Sequence, residues 1–172
     1  MFKKILVPLD GSSMADRVLP RVEELAATLK ARVTLLHVCY SPAGELAGEG
    51  PPGTMAVAEA QERKFCEQFL GRTCRDLEAR GLQADWACLD GVPAREIIAY
   101  AQEHGYDLIA LGTHGRGEIA WNLGGVADKV AAHATVPVLL FRTLKARPPV
   151  LKAKLKEFAT EMERYFAWGL PG

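Results

Sequence analysis

Short apolar runs alternate along the chain with longer segments whose apolar residues recur at helical spacing. Ile5-Leu6-Val7-Pro8-Leu9 reads as a strand, and Asp10-Gly11-Ser12-Ser13 after it is a turn that can also cap a helix. Val18, Val22, Leu25, Ala26 and Leu29 then follow at steps of 4, 3, 1 and 3, which is one face of a helix. Pro20 interrupts that face and removes a backbone donor, so the pattern predicts a kink there or a helix that properly begins near it. A second strand spans 33–38, a Gly- and Pro-rich loop spans 41–54, and a long helix runs from about 55 to 80, where Gly81 stops it. Residues 83–89 set Ala84, Trp86 and Cys88 against polar or exposed positions, as a strand near a sheet edge does. Pro93 opens a third helix, with Ile97, Ile98 and Ala101 on one side and Gly105 at its end. A fourth strand at 107–111 runs straight into Gly112-Thr113-His114-Gly115-Arg116-Gly117. A helix from about 119 to 133 leads to a last strand at 136–141.

Strands and helices in strict alternation, with continuous apolar strands, imply an α/β fold: a parallel sheet covered on both faces. Right-handed crossovers make it doubly wound. The chain changes character near Lys145. Arg147-Pro148-Pro149 turns it away from the sheet, and Leu151, Leu155, Phe158, Met162 and Tyr165 then repeat at 4, 3, 4 and 3, the seam of an amphipathic helix. The division expected is an α/β domain over 1–144 and a helical extension over 145–172. The extension carries six basic and three acidic residues, so it is +3 and the preceding body −3. About two heptads are marginal alone, so the seam must dock on its own domain, a dimer mate or another partner.

The length of 172 residues suits a single domain with a sizeable core. Lys+Arg and Asp+Glu are 21 each, a balance that argues against a dedicated nucleic-acid binder. No apolar run is long enough to span a bilayer, and the N-terminal apolar stretch is cut short by Asp10, which excludes a signal peptide and places the chain in the cytoplasm. Cys39, Cys66, Cys74 and Cys88 are widely spaced, and no histidine completes a zinc cluster with them in sequence. They read as small buried side chains in a reducing compartment, and no protein metal site is expected. His37, within an apolar strand, reads as a satisfied core or rim residue.

In an open parallel sheet, ligands bind beyond the carboxyl ends of the strands, where the strand order reverses. Two loops should flank that crevice: Pro8-Leu9-Asp10-Gly11-Ser12 and the glycine turn at 112–117. Three glycines in six residues expose several N–H groups towards one point, which with a following helix dipole makes an anion cradle. Asp10 across the crevice suits ribose hydroxyls or an adenine amino group, and Arg116 adds positive charge. Such a glycine turn is common in strand-to-helix connections, and it does not match the Rossmann or P-loop patterns.

The pieces taken together are more specific than any one of them. They are Ile5-Leu6-Val7-Pro8-Leu9-Asp10-Gly11-Ser12, Val33-Thr34-Leu35-Leu36-His37-Val38, Gly91-Val92-Pro93-Ala94-Arg95-Glu96-Ile97-Ile98, the run from Asp107 to Gly117, and Val126-Ala127-Asp128-Lys129-Val130 before Val136-Pro137-Val138-Leu139. In this order and spacing the chain resembles the universal stress protein family over almost all of 2–142. The resemblance implies a five-stranded sheet in the order 3-2-1-4-5, a homodimer formed along the last strand, and a stress-response regulatory module that binds ATP or AMP. By similarity Asp10, with Pro8 and Leu9 beside it, and the backbone at Val38 would meet the adenosine half. Gly112, Gly115, Arg116 and the later turn at Gly124, Gly125 and Val126 would hold ribose and phosphates, with Mg2+ carried by the phosphates. His114 either touches phosphate or is a solvated loop histidine, and Trp121 either covers the mouth of the crevice or simply packs.

One departure matters. The ATP-binding branch places Gly-Ser/Thr nine residues beyond Gly-x-x-Gly. Here that count reaches Gly125 followed by Val126; the register set by 126–130 instead gives Gly124 followed by Gly125. Either way the phosphate-facing hydroxyl is missing, which removes about 1.5–3 kcal/mol and weakens binding roughly 10- to 150-fold. No catalytic base or lysine is evident, so any hydrolysis would be slow and incidental. The competing reading is a nucleotide-independent adaptor that acts through its dimer surface and C-terminal helix. A phospho-receiver shares the topology but needs a lysine on the last strand, and 136–141 contains none.

Overall fold

Every strand pairs in parallel with its neighbours, because a helix between successive strands returns the chain to the same end of the sheet. The computed structural model describes residues 2–12, 15–40, 52–113 and 125–142. The elements are β1 (Lys4–Pro8), α1 (Ala15–Leu29), β2 (Arg32–Tyr40), α2 (Pro52–Ala79), β3 (Ala84–Gly91), α3 (Pro93–Glu103), β4 (Leu108–Gly112), α4 (Gly125–His133) and β5 (Val138–Phe141). They form a five-stranded sheet in the order β3-β2-β1-β4-β5, as expected. The extension beyond Lys145, the stretch 41–51 and the turn at 114–124 lie outside the described residues.

Successive strand residues point to opposite faces, and this divides the core in two. Ile5, Val7, Val33 and Leu35 face α1 and α2, where Val18, Val22, Ala26, Leu70 and Leu77 close over them. Leu6, Leu36, Ile109 and Leu111 face the other way, onto Ala94, Ile97 and Ala101 of α3 and Ala127 and Val130 of α4. The central strands are buried on both faces, which is why their sequences are apolar without alternation. The alternating β3 is an edge strand, half-exposed along its length.

Three details differ from the pattern reading. Helix α1 starts at Ala15 and runs through Pro20, whose ring is exposed; the proline removes one donor near the helix start, and the buried Val18-Val22-Ala26 stripe holds the helix across it. Helix α2 begins at Pro52, so the connection after β2 is shorter than the predicted loop. The cysteines also divide. Cys39 and Cys74 are free and buried, but Cys66 and Cys88 form a disulfide that ties α2 to β3. The reading of all four as separate small core thiols therefore fails for that pair. They are 22 residues apart in sequence, but α2 packs over the sheet and brings their Cα atoms to 6.5 Å, within bridging range. Among the described residues no helix is long and apolar enough to cross a membrane.

Candidate functional site: the crevice between β1 and β4

The strand order reverses between β1 and β4, and the sequence of β1 opens the sheet there. Leu9 N–H donates to the Leu36 carbonyl at 2.8 Å, so the odd-numbered residues of β1 turn their peptide groups to β2. Pro8 therefore faces β4, and it has no N–H to give. Pairing with β2 continues from Lys4 to Pro8, but pairing with β4 is registered only at Ile5 and Leu6. The proline ends one ladder and leaves the other intact, and the two strands part at their carboxyl ends.

Groups from three strands surround that gap. Beyond β1, Asp10 Oδ1 accepts hydrogen bonds from the Ser12 N–H at 3.0 Å and the Ser12 hydroxyl at 2.6 Å. This Asx-type turn needs Gly11 at φ 72°, a conformation that side chains other than glycine resist. It holds a half-buried carboxylate at the strand end. On the far side, Thr113 N–H donates to the Phe141 carbonyl at 2.8 Å, so Gly112, one residue earlier, turns its peptide groups to the β1 side. On β2, the same alternation points the N–H and C=O of Val38 past the end of β1. A backbone donor and acceptor, a carboxylate and a glycine peptide thus border one opening, which suits a planar heterocycle with a hydroxylated substituent.

Of the residues expected at the site, the structure brings Pro8, Leu9, Asp10, Val38 and Gly112 to this end of the sheet. Gly125 and Val126 form the start of α4, both exposed, and among the described residues none comes within 4 Å of where a Gly125 Cβ would stand. That helix end bears Asp128 in its first turn, which offsets part of the attraction its dipole holds for an anion. His114, Gly115, Arg116, Trp121 and Gly124 lie outside the described residues.

Sequence reasoning missed one feature beside the crevice. His37 is 4% exposed, and its Nδ1 lies 2.7 Å from the Leu9 carbonyl, the residue before Asp10. That nitrogen is satisfied, but among the described residues the buried Nε2 has no hydrogen-bond partner, a state that costs about 1–3 kcal/mol. The Glu62 carboxylate stands 3.9 Å from it. The expectation of a fully satisfied histidine holds for one ring nitrogen only. The alternation of β2 signals which face His37 occupies, but nothing local announces a glutamate 25 residues later as its neighbour.

Comparison with known proteins agrees with this architecture. The family model described as the universal stress protein family matches residues 1–142. Universal stress protein YxiE of Bacillus subtilis is 32% identical over 148 residues, covering 83% of this chain and the whole of the relative. Among solved structures, the universal stress protein UspA from Lactobacillus plantarum superposes with a TM-score of 0.71 at 22% identity, covering 82% of this chain and 98% of the other. The universal stress protein from Archaeoglobus fulgidus in complex with dAMP superposes with a TM-score of 0.55 at 23% identity, covering 81% and 97% of the two chains.

Proposed function

Because the chain belongs to the universal stress protein family, we propose that it is a stress-response regulatory module that binds ATP or AMP in the β1/β4 crevice. The observation that carries this reading is the parting of β1 and β4 at Pro8, with Asp10, Val38 and Gly112 bordering the gap. In this reading the Val38 backbone meets the adenine edge and Asp10 meets the ribose. Gly112, Gly115 and Arg116, with His114 at their side, hold the phosphates against the start of α4, at Gly124, Gly125 and Val126. The dAMP complex of the Archaeoglobus relative supports the adenine nucleotide class.

Magnesium would enter on the phosphates. Among the described residues the one cluster of metal-type donors has a histidine and a cysteine, which suit a softer ion than Mg2+. Signalling would pass through a homodimer formed along β5, whose four residues are all apolar and half-buried and which is a sheet edge. The unit proposed to bind nucleotide is 1–144, with the extension over 145–172 as a docking helix for a protein partner, and the setting is the cytoplasm.

A thermal shift with Mg2+ and adenine nucleotides tests the reading. Ligand at about 100 times its Kd adds about 2.7 kcal/mol, a rise of roughly 5–11 °C for a domain of this size. Asp10→Ala should abolish the rise. The absence of any response to ATP or AMP in the unaltered chain refutes nucleotide binding. It favours instead an adaptor that works through its dimer surface and C-terminal helix, a reading to which the missing hydroxyl at 125–126 lends weight.

A further inference from the structure

We propose that His37, Cys39 and Glu62 form a binding site for a divalent cation of the zinc class, beneath α2 and separate from the nucleotide crevice. His37 and Cys39 are two residues apart on β2, so both project from the face that α2 covers, and Glu62 comes down from α2. A ring nitrogen of His37, the Cys39 Sγ and a Glu62 carboxylate oxygen lie within 4.8 Å of one another. Ligands on a tetrahedral zinc ion stand about 3.3–3.8 Å apart, given bonds of about 2.0–2.3 Å. His37 Nε2 and Glu62 already stand 3.9 Å apart, and a closure of roughly 1 Å across the three completes the set.

The histidine is oriented as a metal ligand would be. A backbone carbonyl can only accept, so the contact with Leu9 places a proton on Nδ1 and makes Nε2 the ring nitrogen available to a cation. That nitrogen is the buried atom without a partner among the described residues. An N–H to carbonyl bond on the far side of the ring is the usual means by which a metal-ligating imidazole is oriented. Burial pushes the Cys39 thiol up, and the negative charges of Glu62 and Asp90 push it further, against a smaller opposing effect of Arg63. A divalent cation binds Cys39 as the thiolate, and the displaced thiol proton goes to solvent.

The frame around these three residues holds them in place. Cys88 is the register partner of His37 on β3, and its bond to Cys66, one turn along α2 from Glu62, ties the helix down at this level. Arg63 pairs with Asp90 across the same gap. One sulfur, one imidazole and one carboxylate select zinc or cobalt over magnesium or calcium, and three protein ligands leave a fourth place for water.

The test is titration of the full-length, metal-stripped chain with Co2+ and Zn2+, without nucleotide. The expected result is one Co2+ per chain, with a thiolate-to-cobalt charge-transfer band and tetrahedral visible absorption, displaced by Zn2+ and untouched by Mg2+. Zn2+ at about 100 times its Kd should raise the melting temperature by roughly 5–11 °C. Cys39→Ser should remove the charge-transfer band. Glu62→Gln, at a half-exposed position that leaves the fold intact, should weaken Zn2+ at least tenfold. A cobalt complex without a thiolate band, or Zn2+ affinity unchanged in both variants, overturns the proposal. So does a chain that binds no Zn2+ and in which Glu62→Gln lowers stability. That result assigns His37 and Glu62 to an imidazolium–carboxylate pair.

Discussion

Gly125→Ser tests the phosphate half of the proposed nucleotide site directly. Gly125 is exposed, its φ lies outside the left-handed region, and a Cβ added there meets no atom of the described residues within 4 Å. The substitution therefore costs the fold little, and serine at the start of α4 suits a helix N-terminus. If the register set by 126–130 is right, the new hydroxyl stands where the phosphates lie. A hydrogen bond to a charged group contributes about 1.5–3 kcal/mol, or roughly 10- to 150-fold in affinity. Asp128 in the same turn opposes an anion, and the position is exposed, so the lower end of that range, about tenfold, is expected. Val126→Ser is the paired variant for the other register; Val126 is 39% exposed, so it too can be altered without loss of core. Calorimetry with ATP, AMP and adenosine separates the outcomes. The gain should appear with ATP in one variant and be absent with adenosine in both. Equal tightening for adenosine, or no gain in either variant, would show that the phosphates do not reach this helix and would refute the placement.

Two further outcomes follow from the described contacts. Burial, followed by the charge and hydroxyl of Tyr106, pushes the Tyr100 phenol up to about 12 from its ordinary 10. The unfolded chain then loses its proton first. This contribution to stability is whole below about pH 10 and is lost as the pH rises through 12, and Tyr100→Phe should flatten that alkaline limb in chemical denaturation. Opening the Cys66–Cys88 bridge, which closes a loop with a sequence separation of 22, should lower stability by about 3 kcal/mol, seen as a drop in melting temperature on reduction that Cys66→Ser reproduces without reductant.

The parallel sheet was legible because short-range rules govern it, whereas its strand order came only with the family resemblance. Apolar runs at 5–9, 33–38 and 107–111 can only be buried on both faces, and helical segments between them force parallel crossovers. The end of the β1–β4 ladder has a local cause that the sequence reading left unused, since a proline cannot donate whatever surrounds it. Asp10 and Gly11 announced their turn through local chemistry, and the observed hydrogen bonds to Ser12 are the ones that such a turn makes. What escaped the sequence depends on one helix lying across the sheet. The angle and depth of α2 decide whether Cys66 meets Cys88 and whether Glu62 meets His37, and periodicity reports a helix's buried face without its register on the strands below. Those two contacts share a cause. Glu62 and Cys66 are four residues apart on α2, while His37 and Cys88 are register partners on adjacent strands. A single docking of α2 brings both pairs together. The bridge and the cation site are therefore one structural decision, and a variant that shifts α2 by a turn should lose both at once.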